Sequence, residues 1–374
     1  MAQADTRQRS WLEQEIPLQA DALRRALAAY VDPVEAVLAH AAARGTDDWV
    51  VTGCGDSLFA GRCAEVWFAQ RAGLRLRALD AMTLSRYLHP SLGARSMVFA
   101  VSHSGTTARV LEAARAARAR GAFVVAVTAN ADSALAALAD LWVDNAVHGE
   151  RSNTRTASFQ AVCALMHALA DGLAARPARA LPGPAHLADA VEAYVEPARR
   201  AVDALDADLL GGDHWLFTGA GTGHATALYG MAKLYEAATV SAHASELEQL
   251  IHCEIFTVRP GSVVVLVCPL GHSTSRAREL AEGLARLGAT TIAVTNDEQL
   301  AAACTAIVPL PGHMPEDELP FFAAVPLQWL ALRIALARGD DPDLVGNKSV
   351  NRPLIDHSAQ WDDDAYAVAV PSAS

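Results

Sequence analysis

The sequence lacks the features of a protein that binds nucleic acid or crosses a membrane. Only 19% of its 374 residues are charged, the net charge is −12, and no cluster of lysine and arginine resembles a track for a phosphate backbone. No segment reaches the roughly 18 unbroken apolar residues that a membrane span needs. Residues 1–15 lack the apolar core of a signal peptide, so nothing in the sequence indicates export.

Cysteine is scarce and has no metal-binding spacing. The six cysteines form neither a CxxC motif nor a Cys/His cluster with the spacing of a zinc site. We therefore expect reduced thiols, a cytoplasmic location, and neither a metal nor a cofactor.

What the chain has instead is an alternation of strand and helix patterns. It is 52% hydrophobic, which is typical of a compact globular protein, and its length suffices for two domains. Helical stretches at 11–30, interrupted by Pro17, and at 34–44 come first. The predicted strands of the first half are 49–52, 96–101 and 123–128, and helices are predicted at 58–72 and 108–120. This alternation indicates an α/β fold in which helices cover a parallel sheet.

The same pattern returns in the second half of the chain. Trp215 begins a strand and a glycine turn that repeat those at Trp49, at an offset of 215 − 49 = 166. Residues 293–295 repeat residues 126–128 at an offset of 293 − 126 = 167. A constant offset indicates two copies of one α/β unit, joined through the Pro/Ala-rich stretch 175–197. The predicted parts are an N-terminal helical segment (1–45), a first domain (46–180), a second domain (198–340) and a C-terminal tail (341–374).

Hydroxyl side chains crowd one turn of the first copy. Around Gly105, between a strand end and a helix start, the turn contains Ser102, Ser104, Thr106 and Thr107. Ligands of open parallel sheets bind at the carboxyl ends of strands, and N–H groups at a helix N-terminus hold anions. N-capping accounts for one hydroxyl per helix and not for four, so we predict a phosphate-binding turn. The matching turn of the second copy, residues 269–273, has a proline and fewer hydroxyls, and we expect it to bind no phosphate.

The stretch 227–258 holds a second set of candidate residues. It opens as an amphipathic helix that carries Lys233 and Glu236, and an irregular segment then leads to His252, just before a strand-like run. A carboxylate and an imidazole that a fold brings together form a proton-transfer site. Taken alone, the two residues fit a solvated glutamate and a structurally satisfied histidine better than a catalytic pair.

Together these motifs resemble the double SIS (sugar isomerase) family, which includes the isomerase domain of glutamine–fructose-6-phosphate amidotransferase and the fructosamine-6-phosphate deglycases. The resemblance begins at Glu15-Ile16 and Gln19, and it continues through residues 54–57 (CGDS), 102–107 (SHSGTT) and 346–350 (GNKSV). It covers nearly the whole chain. It implies two tandem SIS domains, each a parallel β-sheet flanked by helices in an αβα sandwich.

The resemblance also implies roles for individual residues. Glu236 falls on the family's general base, and His252, at 252 − 236 = 16 positions further on, falls on its ring-opening histidine. Lys348 falls on the lysine that forms an imine with the open-chain sugar, and Lys233 on a lysine beside the base. Substrate and phosphate contacts fall on Ser57, Ser102, His103, Ser104 and Thr107, with His103 in place of the usual glutamine. The family further implies a homodimer that shares His252 across its interface.

The chemistry of these side chains suits the roles. One carboxylate can move a proton between C1 and C2 of a sugar phosphate, an imidazole titrates near neutrality, and a partly neutral lysine can form a Schiff base. The residues leave alternatives open, because Glu246, Glu248 and Glu254 are other carboxylates near His252, and Lys348 also fits a surface charge.

Two departures from the family's pattern concern the substrate. Cys253-Glu254 follows His252 where the family usually has Gly-Pro, and Arg155 stands in the segment 153–158 (NTRTAS) where a small residue is usual. Arg155 fits either a contact with an anionic group of the substrate or an ordinary surface position.

We therefore expect an enzyme that breaks or shifts a C–N bond on a sugar 6-phosphate, as a fructosamine-6-phosphate deglycase or an amino-sugar-phosphate deaminase. One alternative is an aldose–ketose phosphosugar isomerase, including a glucosamine-6-phosphate synthase-like activity without glutaminase. A more distant one is a sensor that binds a sugar phosphate without turnover. The N-terminal cysteine and extra domain that would supply ammonia from glutamine are absent from the sequence, so we do not expect the full amidotransferase.

Overall fold

The computed structural model describes residues 9–174, 184–344 and 353–355. These residues form two compact units, each built around one five-stranded sheet. The first unit consists of residues 22–148, 158–174, 184–189 and 353–355, and the second unit consists of residues 9–21, 149–157 and 190–344. The N-terminal residues and the short segment 149–157 thus belong to the unit that the second half of the chain builds.

The first sheet lies in the first unit. Its strands are β1 (Asp48–Gly53), β2 (Leu76–Asp80), β3 (Ser96–Val101), β4 (Phe123–Thr128) and β5 (Leu141–Asp144). They are all parallel, in the order β2-β1-β3-β4-β5. Strands β3 and β4 are buried along their whole length, because an inner strand of a parallel sheet has helices on both faces.

The second sheet lies in the second unit and repeats the first. Its strands are β6 (His214–Gly219), β7 (Ala242–Glu246), β8 (Ser262–Val267), β9 (Thr290–Thr295) and β10 (Ala306–Pro309). Their order is β10-β9-β8-β6-β7, again parallel, so β6 has the place of β1 and β8 that of β3. The prediction of an α/β fold with two copies of one parallel-sheet unit is confirmed.

Helices connect the strands and cover the sheets. In chain order they are α1 (Trp11–Glu15), α2 (Gln19–Ala29), α3 (Val31–Arg44), α4 (Asp56–Trp67), α5 (Ala81–Thr83), α6 (Ala108–Ala119), α7 (Ala134–Leu138), α8 (Ala157–Leu173), α9 (Pro184–Asp203), α10 (Ala207–Leu210), α11 (Thr222–Ala238), α12 (Leu247–His252), α13 (Thr274–Arg286), α14 (Glu298–Ala303) and α15 (Leu319–Arg338). In the first unit α4 packs on β1 and β2 and α6 on β3 and β4, while in the second unit α11 packs on β6 and β7.

The repeat extends to single backbone angles. Gly55 precedes α4 with φ 55° and ψ −129°, and Gly221, at 221 − 55 = 166 positions further on, precedes α11 with φ 54° and ψ −126°. A residue with a side chain rarely adopts a positive φ, so both turns require glycine. The offset read from the sequence therefore reflects the same strand–turn–helix geometry in each unit.

Within the part of the chain that the structure describes, one helix has the length and apolar character of a membrane span. It covers Glu316–Arg338, with a mean hydropathy of 1.6 over its most apolar window. In the structure 89% of that window is buried, and α15 packs against α11 in the second unit. Its composition is therefore that of a core helix.

The structure corrects some local predictions. Residues 184–197 of the predicted joining stretch lie in α9, which continues through Pro197 to Asp203. The segment after Glu236, predicted to be irregular, contains β7 and α12, and a 3-10 turn (Glu254–Thr257) rather than a strand follows His252. The four strands β2, β5, β7 and β10 had not been predicted.

Candidate active site

The hydroxyl-rich turn of residues 102–107 connects β3 to α6 in the first unit. Ser102 Oγ lies 2.9 Å from Thr107 Oγ1 and accepts a hydrogen bond from Gly105 N at 3.2 Å, while Ser104 Oγ lies 2.9 Å from Thr106 Oγ1. Thr107, the N-cap residue of α6, makes no capping bond with its side chain. Paired hydroxyls before a helix that no side chain caps are an arrangement that can receive an anion.

Gly105 fixes the shape of this turn. Its φ is +69°, and a Cβ built there would lie 2.2 Å from Ser133 Oγ and 2.9 Å from Thr128 Oγ1. No real side chain tolerates such distances, so the turn packs directly on the segment that follows β4. Any larger residue would have to move the turn.

His103 and Ser57 lie near the same edge of the first sheet. His103 Nδ1 is 3.0 Å from Asn145 Nδ2, and the His103 carbonyl accepts a hydrogen bond from Thr128 Oγ1 at 3.1 Å. An amide nitrogen only donates, so His103 Nδ1 is the acceptor. Ser57 is half-buried in the first turn of α4, which follows β1, the parallel neighbour of β3. The turns after β1 and β3 therefore stand at one edge, where ligands of such sheets bind.

α6 also carries an ion cluster that was not among the predictions from sequence. Glu112 on α6 pairs with both Arg109 and Arg86. Burial and the charge of Asp80 raise the pKa of the Cys54 thiol, while Arg109 acts to lower it, so the Arg109 guanidinium also lies near the turn after β1. The sequence could have indicated the Arg109–Glu112 pair, because residues three positions apart on a helix are neighbours.

In the second unit a carboxylate occupies the matching turn. Glu316 accepts hydrogen bonds from His272 N at 3.3 Å and 3.1 Å through its two oxygens, and Glu316 Oε2 lies 2.5 Å from His272 Nδ1. His272 lies just before α13, the counterpart of α6. A carboxylate of the same chain thus stands where the first copy has its hydroxyls, and that this turn binds no phosphate stays a prediction.

An ion pair on α11 joins two residues predicted for the site. Lys233 Nζ donates to Glu236 Oε2 at 2.6 Å and to the Arg155 carbonyl at 3.2 Å. The Lys233 side chain is fully buried, whereas that of Glu236 is 34% exposed. A buried ammonium is costly unless it is paired, so the carboxylate stabilises it and is in turn held in place.

A buried carboxylate also fixes the segment that contains Arg155. The side chain of Glu150 is 3% exposed and accepts hydrogen bonds from Thr156 N at 2.7 Å and Ala157 N at 3.0 Å. Arg155 Nη1 lies 3.4 Å from the same carboxylate and donates to the Glu150 carbonyl at 2.9 Å. Arg155 therefore has an internal partner for its charge, and its carbonyl is what meets Lys233. A contact of Arg155 with a substrate anion stays a prediction.

Glu15 holds the same segment from the N-terminal side. Its carboxylate accepts hydrogen bonds from Ser152 N at 3.2 Å and from Arg151 N. Burial raises the pKa of Glu15, and these backbone hydrogen bonds oppose that shift. Glu15, noted in the sequence for its resemblance to a family motif, thus has a structural task.

His252 ends α12 and is 70% exposed. Its Nε2 lies 3.3 Å from Glu248 Oε1, so its ion pair is with Glu248 rather than Glu236. Glu248 is also bound by Arg276, whose hydrogen bonds lower the pKa of that carboxyl. Glu254 accepts from Ser245 at 2.6 Å. Both neighbouring glutamates are thus engaged elsewhere, and a single chain places His252 in solvent.

Lys348 lies outside the described residues, so its predicted role is untested. Among the described residues no group of three or more His, Cys, Asp or Glu side chains could hold a metal ion. All six cysteines fall within the described ranges and are free thiols. Burial raises the pKa of Cys268 to about 12, so that thiol stays protonated at neutral pH.

Comparison with known proteins identifies the family. The model of the SIS domain matches residues 46–171 and again residues 209–338, and the chain belongs to this family. Each match contains one of the two parallel sheets.

Named relatives share this architecture. The glutamine–fructose-6-phosphate aminotransferase (isomerizing) of Caulobacter vibrioides is 28% identical over 354 residues, which cover 90% of this chain and 57% of the relative. The chain thus spans little more than half the length of the curated relatives it matches. The solved glucosamine-6-phosphate deaminase of Thermotoga maritima has a TM-score of 0.74 and 23% identity, covering 89% of this chain and 97% of that one. The solved tagatose-6-phosphate ketose/aldose isomerase of Escherichia coli has a TM-score of 0.75 and 22% sequence identity, covering 92% of this chain and 97% of that one.

Proposed function

We propose that this protein is an enzyme that acts on an open-chain sugar 6-phosphate, moving a proton between C1 and C2 and cleaving a C–N bond. The observation that carries the proposal is the Lys233–Glu236 pair, in which a partly exposed carboxylate is fixed by a buried ammonium at 2.6 Å. The Caulobacter relative and the Thermotoga deaminase, both named for amino-sugar chemistry, support an amino-sugar phosphate as the substrate class.

Glu236 is the general base in this proposal. One oxygen is held by Lys233, which restricts the rotation of the carboxylate, and the remaining exposure allows a substrate to reach it. A carboxylate fixed in this way can take a proton from one carbon of the open-chain sugar and return it to the adjacent carbon. Glu248 and Glu254 suit this work less well, because other side chains already bind them.

The other predicted residues take up binding and ring opening. The turn of residues 102–107 binds the phosphate through its hydroxyls and the N–H groups at the start of α6, and Ser57 contacts the sugar. His252 serves ring opening, for which an imidazole that titrates near neutrality is suited. Lys348 forms the imine with the open-chain sugar. Because no metal takes part in these steps, the proposal predicts turnover in the presence of a chelator.

A substrate panel tests the proposal. The purified protein is incubated with fructosamine 6-phosphates, glucosamine 6-phosphate, and fructose 6-phosphate with and without ammonia, and the products are identified by mass spectrometry. Release of an amine or of ammonia is the expected result. Aldose–ketose exchange without loss of nitrogen would instead identify an isomerase. Tight binding with no chemical change in any panel member would contradict the enzyme proposal and leave a sugar-phosphate sensor.

We further propose that His252 acts in the site of a second copy of the chain. Its 70% exposure, with Glu248 as its ion-pair partner, supports a residue that acts outside its own chain. Two inactive variants, Glu236→Gln and His252→Ala, are unfolded together, mixed and refolded. In a shared-site homodimer the mixed dimer has one site with both residues intact, so activity returns to about a quarter of wild type. Mixtures that remain inactive would show that His252 acts within its own chain.

A further inference from the structure

Tyr229 lies one turn before Lys233 on α11. Tyr229 is fully buried, its ring centroid lies 4.6 Å from Lys233 Nζ, and its hydroxyl donates to the Arg155 carbonyl at 2.8 Å. We propose that Tyr229 is a positioning residue that holds Lys233, and through it Glu236, in the geometry that proton transfer requires. The inference rests on the proposed function, since it assumes that Glu236 is the base.

The charged end of Lys233 is buried and needs partners inside the protein. A fully buried ammonium needs partners on every side from which water is excluded. Glu236 supplies the opposite charge, the Arg155 carbonyl supplies an acceptor, and the face of the Tyr229 ring supplies a third contact. The face of an aromatic ring attracts a cation, and more strongly where water is absent. With three fixed partners, the flexible lysine side chain is restricted to one position.

The hydroxyl of Tyr229 is held by two hydrogen bonds. It accepts a hydrogen bond from Gln328 Nε2 at 2.9 Å and donates its own hydrogen to the Arg155 carbonyl. Gln328 in turn pairs with Gln19, the two amides exchanging hydrogen bonds at 2.9 Å and 3.2 Å. Both glutamines are fully buried. Gln19 Nε2 and Gln328 Nε2 each donate to two acceptors and the Tyr229 hydroxyl donates to one, so these hydrogen bonds define the orientation of the Tyr229 ring.

Tyr229 and Lys233 share one hydrogen-bond acceptor, the carbonyl of Arg155. The Arg155 carbonyl has two lone pairs and accepts from both Tyr229 and Lys233. The carbonyl is itself immobile, because Glu150 and Glu15 bind the backbone on either side of it. Loss of the Tyr229 side chain therefore removes both the ring beneath Lys233 and a bond to its acceptor, while Glu236 is untouched.

The chain offers a matched control in Tyr194. This tyrosine is also buried in the second unit, at 6% exposure, and its hydroxyl also donates to a backbone carbonyl, that of Pro309, at 2.8 Å. Its ring packs against Phe322 rather than against a lysine. Replacing either tyrosine by leucine removes the same atoms from the same unit. Tyr229→Leu also leaves Gln328 Nε2 without one acceptor, and only this variant changes the surroundings of Lys233.

Steady-state kinetics on the panel substrate that is turned over fastest test the inference. For Tyr229→Leu we expect kcat to fall about 30-fold, the loss of a desolvated cation–π contact, with KM within about twofold of wild type. Tyr229→Phe keeps the ring and is expected to recover most of that loss. Tyr194→Leu is expected to keep its kcat. A Tyr229→Leu enzyme with wild-type kcat, or an equal loss of kcat in Tyr194→Leu, would overturn the inference.

A second measurement needs no substrate. The sequence contains only two lysines, Lys233 and Lys348, so protein labelled with ¹³C at lysine Cε gives two side-chain signals, and Lys348→Arg identifies that of Lys233. We expect an upfield ring-current shift of the Lys233 Hε signal that persists in Tyr229→Phe and disappears in Tyr229→Leu. An unchanged signal in Tyr229→Leu would refute the contact. Full turnover in Glu236→Gln would contradict the proposed function. Full turnover in Tyr229→Leu, with Glu236→Gln inactive, would contradict only the positioning role of Tyr229.

Discussion

Replacing Glu236 by glutamine is expected to lower kcat by about 10³-fold, because the loss of a positioned general base typically costs between about 10² and 10⁴. Glutamine has nearly the same shape and can still accept a hydrogen bond from Lys233, but the substitution also removes the negative charge that pairs with the buried ammonium, so some loss of stability is expected beside the loss of the base. KM is expected to change far less, since the amide leaves phosphate binding unaltered. The measurement is steady-state kinetics on the substrate found in the panel, alongside the melting temperature.

The control for this variant is Glu254→Gln. Glu254 lies on the same stretch of chain. Burial acts to raise the pKa of its carboxyl, but hydrogen bonds, including those from Ser245 and His243, outweigh this effect and lower the pKa. We expect Glu254→Gln to keep its kcat within about threefold of wild type. A Glu236→Gln protein that kept full turnover would refute the assignment of the base, and an equal loss in both variants would point to a general effect on the fold.

The second large effect is expected at Gly105. An alanine there places its Cβ 2.2 Å from Ser133 Oγ, and the turn of residues 102–107 has to move to accommodate it. If this movement breaks two hydrogen bonds to a phosphate, each worth about 1.5 kcal/mol, the KM rises about 100-fold. The effect on kcat at saturation is expected to be small, because Glu236 lies on another element of the other unit.

Gly121→Ala is the matched control for this effect. Gly121 also has a positive φ, +81°, but a Cβ there meets its neighbours, atoms of Ala94, at 3.9 Å, an ordinary contact. Both alanines carry the same backbone cost of about 1 kcal/mol, so both proteins lose similar stability from that source. Only Gly105→Ala is expected to raise KM. Equal KM values in the two variants would show that the turn does not bind the phosphate.

The strands that sequence patterns missed are the edge strands. β3, β4 and β8 are buried throughout, and their uninterrupted apolar runs are visible in the sequence. The edge strands β2, β5, β7 and β10 are only four or five residues long and alternate between buried and exposed positions. A strand with one neighbour needs less apolar surface, so a short edge strand resembles a loop. The doubly covered centre of each sheet was therefore predictable and its margins were not.

The same distinction applies to the candidate site. The hydroxyl turn was found because its side chains are adjacent in sequence, and Lys233 and Glu236 because they match a family motif that lies 16 positions before His252. Glu150 was missed because its partners are backbone N–H groups, which leave no trace in residue type. The Gln19–Gln328 pair joins residues 328 − 19 = 309 positions apart, and no local pattern signals such a contact.

The carboxylate of Glu316 has a consequence for binding stoichiometry. A group tethered within one chain acts at an effective concentration in the millimolar range or higher, and a free anion must compete with it for the same N–H group. We therefore expect the turn before α13 to bind a free anion more weakly than the turn of residues 102–107 does. A duplicated fold that started with two equivalent anion sites would in this way retain one per chain. The two halves would then differ in binding although their backbones are nearly the same.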